Sequence, residues 1–493
     1  LLFPPLKKFS LNKSGNSITF KKINLMKTRA FFFLFALTII ACQPKDSVDI
    51  LITHAEVIDV ETGEIWSDQM IGINDGTIVF ILDDDAKDYN AKETIEADGR
   101  YVIPGLWDMH IHFRGGEELV EENKSLIPLF LANGITGVRE AGGDMTQKIF
   151  EWQDAIETGN MKGPKIFTSG PKLDGPGGTW AGSIPVTTQE EAVQAVDSLI
   201  DLGSDFVKLY DSRISRDAYI WILEEAKRRG IKTSGHMPFS VMLNEAVEAG
   251  LGSVEHLYYV LKGTSTDEQE VTDDVIAGKA SFWGSMNKLM ATTTKEQEQA
   301  AFNLLRDNNT YVTPTLYIGN VLTYLKEVDH ANDQYLNYVG DGIINTYQGR
   351  IRSALNANEE FTQMRIDLNN TFVNLVPKLH KAGVTLMAGS DCGASNSYVY
   401  PGESLHGELK ALVDAGLPEI EALKAATING AKFLEVDDFY GSLKAGKSGD
   451  LLILNDNPLE DINNSKNISG MVLQGKFFTK SDMDTMLESV RKK

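Results

Sequence analysis

The stretch Gly105-Leu106-Trp107-Asp108-Met109-His110-Ile111-His112-Phe113 (GLWDMHIHF) sets two histidines one residue apart in an apolar run. Side chains alternate along a strand, so His110 and His112 share one side while Met109, Ile111 and Phe113 take the other. Taken alone, such a pair serves equally well as hydrogen-bonded core histidines or as half of a metal site. The rest of the chain decides between these uses.

Downstream, strand-like runs alternate with helical ones: GITGVRE, IFTSG, FVKLYD before SRDAYIWILEEAKRRG, IKTSGH before VMLNEAVEAG, SVEHLYY, TYVTPTLY, and VTLMAGSD before GELKALVDAG. This alternation predicts βα units around a parallel sheet. Eight strands can be placed, enough to close a (β/α)8 TIM-like barrel. Residues 263 to 310 and 318 to 378 are polar and mostly helical in period, and are expected as insertions above the barrel mouth.

Both flanks are β-rich. Residues 49 to 102 carry ILITHAEVIDV, IGINDGTIVFIL with an Asn74-Asp75-Gly76 turn, and TIEADGRYVI, while GSLKAGKSGDLLILNDNP and SGMVLQGKFF lie near the end. Together they predict a small discontinuous β-sandwich domain of residues 42–102 and 440–482, around a barrel of 103–439.

Residues 1–25 show no periodicity and are expected to be an upstream extension without structure. Met26-Lys27-Thr28-Arg29 followed by AFFFLFALTIIA reads as a signal peptide over 26–41, too short to span as a mature helix. It ends in Ile39-Ile40-Ala41-Cys42, which resembles a bacterial lipoprotein cleavage box. That likeness implies an exported protein held on a membrane through a lipid on Cys42. The second cysteine, Cys392, leaves no internal disulfide framework once Cys42 is lipidated.

The 493 residues carry a net charge of −22, which becomes −29 once the seven basic residues of 1–41 are set aside. No basic patch stands out, so nucleic acid is excluded as a partner.

The candidate chemistry lies at the C-terminal ends of the expected barrel strands, the face where barrel active sites sit. His236 closes IKTSGH, His256 closes SVEHLYY, Asp391 closes VTLMAGSD, and Lys208 stands among Phe206, Val207, Leu209 and Tyr210. A charged amine in such a run requires a partner. His54, His330, His380 and His406 fall elsewhere and are expected in structural or surface roles. Arg139 and Glu140, at the end of GITGVRE, and Tyr210, two beyond Lys208, are softer candidates; Arg139 and Tyr210 are read as substrate contacts, with packing the equal alternative for Tyr210.

VIPGLWDMHIHF, the strand-end lysine, SGHMP, VEHL, AGSD and ALKAATINGAKFL…GSLKAGKSGDLLILNDNPLEDI together resemble the amidohydrolase superfamily of metal-dependent hydrolases, over nearly all of residues 48 to 482. Within it the likeness is to prolidase-like dipeptidases and imidazolonepropionase-related proteins. The resemblance implies two divalent metal ions, with zinc suited by ligand type: His110, His112 and Asp391 on the first, His236 and His256 on the second, and Lys208 bridging both after adding CO2 to become a carbamate. It implies hydrolysis of an amide in a dipeptide or N-acyl amino acid by a metal-bridging hydroxide, with Asp391 as general base and acid. Where that family tends to carry an aspartate, this chain has Glu140. The competing readings are a mononuclear cyclic amide hydrolase or deaminase, an esterase or lactonase on the same site, and a non-catalytic ligand-binding lipoprotein.

Overall fold

The computed structural model describes residues 47–492, so the expected signal peptide and Cys42 lie outside the described residues. Among the described residues no helix is long and apolar enough to cross a membrane.

The N-terminal flank forms β1 (Ser47–Ile58), β2 (Ile65–Asn74), β3 (Thr77–Asp83), β4 (Asn90–Glu96) and β5 (Tyr101–Pro104). Between β2 and β3 only Asp75 and Gly76 intervene, with φ of 46° and 73°. Two successive left-handed residues make the tight hairpin whose twist matches the flanking strands. The run TIEADGRYVI divides into β4 and β5, because Asp98 and Gly99 also take positive φ. Both strands then lie parallel to successive parts of β1.

The barrel strands follow: β6 (Leu106–Ile111), β7 (Ile135–Glu140), β8 (Lys165–Thr168), β9 (Leu173–Asp174), the short β10 (Ile184–Pro185), β11 (Val207–Leu209), β12 (Thr233–Gly235), β13 (Ser253–Glu255) and β14 (Tyr311–Thr313). β15 (Leu451–Leu454), β16 (Ile468–Leu473) and β17 (Lys476–Thr479) return to the first module, giving one sheet in the order β17-β16-β15-β5-β1-β2-β3 with β4 beside β1. That sheet curls on itself: Gly449 N–H donates to Gly76 O at 2.7 Å and Ile78 N–H to Lys447 O at 2.8 Å. Ile52, Val57, Ile73, Leu451 and Val472 are sealed between its halves.

β6-β7-β8 and β9-β11-β12-β13-β14 are parallel runs. Asp205 N–H donates to Thr168 O at 2.9 Å, linking the approach to β11 with β8. The expected eighth strand, 384–391, forms isolated bridges on both sides in place of a regular ladder, Leu386 with Val312 and Cys392 with Ile111. Met387 N–H donates to Val312 O at 2.9 Å and Asp391 N–H to His110 O at 2.7 Å, so this segment joins β14 to β6 and completes the circuit. Its irregularity has a local cause. A Cβ on Gly389 would meet the His110 Cβ and a Thr313 methyl carbon, each at 2.7 Å, so only glycine lets the chain pass this close to both neighbours.

The long connections are helical. Glu268–Ile276, Phe282–Ala291 and Lys295–Asp307 lie between β13 and β14; Leu316–Thr323, Asp341–Thr346, Gln348–Asn356 and Glu359–Lys381 lie between β14 and the closing segment. Side chains from both groups wall the cavity above the strand-end histidines.

Four histidines lie outside the strand ends. His54 sits on the β-module near Asp68, His330 stacks on Tyr398 at 4.0 Å, and His380 is 3.9 Å from Glu421. His406 is buried, its ring nitrogens 3.0 Å from Ser465 Oγ and 2.9 Å from Asn133 O. Burial lowers its pKa to about 4, so the folded protein holds it neutral while the unfolded chain protonates near 6.5. The unfolded state therefore binds more protons between these values, and stability is fully present above about 6.5 and falls as pH drops through 4. The difference of wild type minus His406→Gln should lose about 3 kcal/mol across that window, read from urea midpoints at each pH. A pH-independent difference would contradict a buried neutral imidazole.

Candidate metal centre

Lys208, His236 and His256 lie on or next to three adjacent strands, and Asp391 on the closing segment brings its carboxylate across to the pair from β6. The His112 Nε2 lies 2.9 Å from Asp391 Oδ1, His110 Nε2 3.7 Å from the same oxygen, and His256 Nε2 3.9 Å from Asp391 Oδ2. Donor atoms of His110, His256 and Asp391 all lie within 4.8 Å of one another. His236 completes the row, its ring centroid 4.9 Å from that of His256.

Three of these imidazoles have their Nδ1 taken up by a neighbour: His110 by Glu255 at 2.6 Å, His236 by Asp211 at 3.1 Å, and His256 by the Thr315 hydroxyl at 2.6 Å. When Nδ1–H is donated outward, Nε2 keeps its lone pair facing the site, the tautomer a metal ligand needs. Burial lowers the pKa of His110, with Lys208 adding to the effect, and burial holds His112 and His256 well below the ordinary imidazole range. For Asp391 burial alone would raise the pKa, but the hydrogen bond from His112 holds it well below the carboxylate range. His110, His112 and His256 are therefore held neutral beside an anionic Asp391.

Among the described residues, three buried atoms of this group find no hydrogen-bond partner: His110 Nε2, His112 Nδ1 and Lys208 Nζ. Unpaired buried polar atoms carry a cost that a bound ion would remove, so the donor set fits metal. Burial lowers the Lys208 amine to about 8, despite the upward pull of Glu255. A fraction of it is thus neutral near pH 7.

Several positioning residues were not legible as site residues in the sequence. Glu255 precedes His256 in VEHL; its Oε1 accepts from Arg139 at 2.8 Å, Ser234 Oγ at 2.6 Å and Ser253 Oγ at 2.6 Å, while Oε2 meets His110. Burial alone would raise its pKa, but Arg139 and His110 hold it well below the carboxylate range. Asp211, the last residue of FVKLYD, also accepts from the Tyr259 hydroxyl at 2.7 Å. Asp108 accepts from Ser390 N at 2.9 Å and Ser390 Oγ at 2.5 Å, tying the closing segment to β6 beside Asp391. An acidic residue inside an apolar strand was the available signal for Asp108 and Glu255.

Arg139 corrects the expectation of a substrate contact. It is fully buried beneath the histidines, between the rings of Phe206 and Phe433, with Nε donating to Met109 O at 2.5 Å. Its neighbour Glu140 is also fully buried and accepts from Gly142 N at 2.5 Å and Thr168 Oγ1 at 2.9 Å, which fixes the loop after β7. Arg139→Met should cost about 3–5 kcal/mol of stability, because it strands the Glu255 charge in a dry interior. The double variant with Glu255→Gln should recover part of that loss; equal urea midpoints for single variant and wild type would refute the pairing.

Tyr210 stands on the other side of the row, its ring 4.3 Å from that of His236 and exposed to a cavity of about 620 Å³ that also takes in Asp391, His236 and His256. Burial and the nearby Asp211 raise its hydroxyl to about 12, so it remains a hydrogen-bond donor at neutral pH. Cys392 is buried in the core, as expected of a packing residue.

Residues 101–478 match the family model described as amidohydrolase family. Ochratoxinase of Aspergillus niger is 22% identical over 475 residues, covering 85% of this chain and 83% of that protein. Among solved structures, a Xaa-Pro dipeptidase with methionine in its active site superposes with a TM-score of 0.65 at 20% identity, covering 87% of this chain and 99% of that one. The bottromycin amidohydrolase superposes with a TM-score of 0.70 at 21% identity, covering 89% and 90%. At these identities the superpositions speak for the fold. With a family match spanning both the barrel and the returning strands, the chain belongs to the amidohydrolase family.

Proposed function

We propose that this protein is a binuclear metal-dependent hydrolase that cleaves the C–N bond of a dipeptide or N-acyl amino acid. The observation that carries the reading is the convergence of His110, His112 and His256 on the Asp391 carboxylate, beside a buried lysine amine with no hydrogen-bond partner among the described residues and below an open cavity. That relatives in fold include a Xaa-Pro dipeptidase and the bottromycin amidohydrolase supports the class of bond.

His110, His112 and Asp391 would hold one ion and His236 and His256 a second, with Lys208 between them as a carbamate. The neutral amine adds CO2 and releases one proton, turning a cation that would repel metal into a two-oxygen anion. Two divalent ions, zinc by donor type, would supply Lewis acidity and bring the pKa of water from about 15.7 to about 7.

The protein's own groups do the remainder. Asp391 accepts a proton from the attacking water and delivers it to the leaving nitrogen, so one carboxylate acts as base and then acid. Asn396 Nδ2 donates to Asp391 Oδ1 at 2.8 Å, which leaves Oδ2 as the freer oxygen. Tyr210 offers its hydroxyl to the substrate from the cavity wall. Glu255 and Asp211 hold two of the imidazoles in register.

A second reading rests on the closeness of His110, His256 and Asp391, which could serve one ion in a cyclic amide hydrolase or deaminase. Metal stoichiometry separates the two. The decisive assay uses the chain from residue 43, supplied with zinc and bicarbonate, against a library of dipeptides and N-acyl amino acids. Chelator-sensitive release of free amino acids is the expected result. Two bound ions per chain without cleavage of any member would overturn the amide reading in favour of esters or lactones. The same proposal has the enzyme exported and held on a membrane through Cys42; Cys42→Ala should then move it from the detergent phase to the aqueous phase.

A further inference from the structure

The cavity above the metal-site residues has two features that the hydrolysis chemistry leaves unused. One is a cluster of rings from the helical insertions: Tyr258 lies with ring centroids 5.1 Å from Phe282, 5.8 Å from Trp283 and 5.0 Å from Phe372. The other is a pair of arginines, Arg350 and Arg365, which also line the cavity. Among the described residues their polar contacts are to Asn396 for Arg350 and to Tyr258 for Arg365, and neither is paired with a carboxylate, in a chain whose acidic residues outnumber its basic ones by 69 to 47.

The two arginines differ in what they touch. Arg365 is spent on the rings, its guanidinium 4.9 Å over Trp283 and a nitrogen 3.4 Å from the Tyr258 hydroxyl. Arg350 faces the chemistry: its Nη2 lies 3.4 Å from Asn396 Oδ1, and the Asn396 amide in turn donates to Asp391. One amide side chain therefore separates an exposed guanidinium from the carboxylate assigned as base. Tyr210 lines the same cavity. A guanidinium without a carboxylate partner suits a substrate carboxylate, which a planar fork of N–H donors holds better than a point charge does.

We infer that Arg350 binds the free α-carboxylate of the substrate while the Tyr258, Phe282, Trp283 and Phe372 wall takes a bulky aromatic group, so that the preferred substrates are carboxylate-terminated amides of aromatic amino acids. The inference rests on the proposed hydrolase reading for its bond and on the cavity wall for its selectivity. An aromatic ring fills such a wall with offset and edge contacts that a glycine side cannot offer. Arg365, already stacked on Trp283, stiffens the wall and contributes positive potential without being the anchor.

The test compares a dipeptide ending in phenylalanine, the same dipeptide with a C-terminal carboxamide, and the matched dipeptide ending in glycine. Wild type should prefer the free acid over the carboxamide by about 10- to 100-fold in kcat/KM. In Arg350→Met that preference should shrink to within about threefold, mainly through KM, with Arg350→Lys intermediate. Trp283→Ala should cut the preference for phenylalanine over glycine by about tenfold. A free-acid preference that survives in Arg350→Met overturns the inference.

A binding readout keeps the two proposals apart. Calorimetric titration with N-acetyl-phenylalanine should show binding to wild type that weakens about 10- to 100-fold in Arg350→Met. Binding that depends on Arg350 in a protein that cleaves no dipeptide would uphold the subsite and sink the dipeptidase reading. Cleavage of all three dipeptides at equal rates, with equal binding to both proteins, would do the reverse.

Discussion

Lys208→Ala is expected to lose bound metal and turnover together, by a factor on the order of 10³ in kcat/KM. Lys208 is 1% exposed and its amine has no hydrogen-bond partner among the described residues, yet it sits beside histidines whose pKa values it helps to depress. A permanent ammonium there would be costly and would repel a cation. Burial brings it to about 8, which makes a neutral, nucleophilic amine available for CO2 near physiological pH. Alanine removes the anion that would bridge two ions, so metal analysis should show fewer than two per chain. Lys208→Glu, which supplies a carboxylate without CO2, should retain more metal than Lys208→Ala and lose the dependence on bicarbonate. Full metal content and undiminished activity in Lys208→Ala would end the bridging proposal.

The second large effect is expected at Asp391. Asp391→Asn should keep most of the metal and lower kcat by about 10²- to 10⁴-fold, the range of a positioned general acid–base group. The substitution is close to isosteric, and the backbone favours it: Asp391 has φ of 58°, a left-handed conformation that asparagine tolerates better than most residues. Its main-chain N–H still reaches His110 O, so the closing segment should stay in register. The readout is kcat alongside metal per chain. Wild-type kcat in a metal-replete Asp391→Asn protein would remove the carboxylate from the proton pathway; loss of metal in proportion to activity would make it a ligand and nothing more.

Both residues were expected at the site because each belongs to a run of strand character, and strand ends at one face of a barrel converge. The same reasoning singled out His110, His112, His236 and His256, which the structure brings together. It failed at Arg139, which also ends a strand. Residues on alternate sides of a barrel strand enter the interior or face the helices, and a polar residue facing inward is read as a site residue whether or not it can reach solvent. Arg139 faces inward but lies beneath the histidines, where Glu255 neutralises it.

What the sequence by itself determined is local and periodic: the βα alternation, the Asp75-Gly76 hairpin, the shared face of His110 and His112, and the strand-end positions of the other donors. Backbone sterics and side-chain alternation act over two to four residues and are written directly in residue order. What only the tertiary structure decided depends on contacts between distant positions. Glu255 meets His110 across 145 residues, Ser390 meets Asp108 across 282, and Arg350 meets Asn396 across 46. Whether a buried carboxylate becomes a ligand, a support for an imidazole or a counter-ion is set by which partner desolvates it. That partner is chosen by the packing of whole strands and inserted helices, which no local spacing encodes.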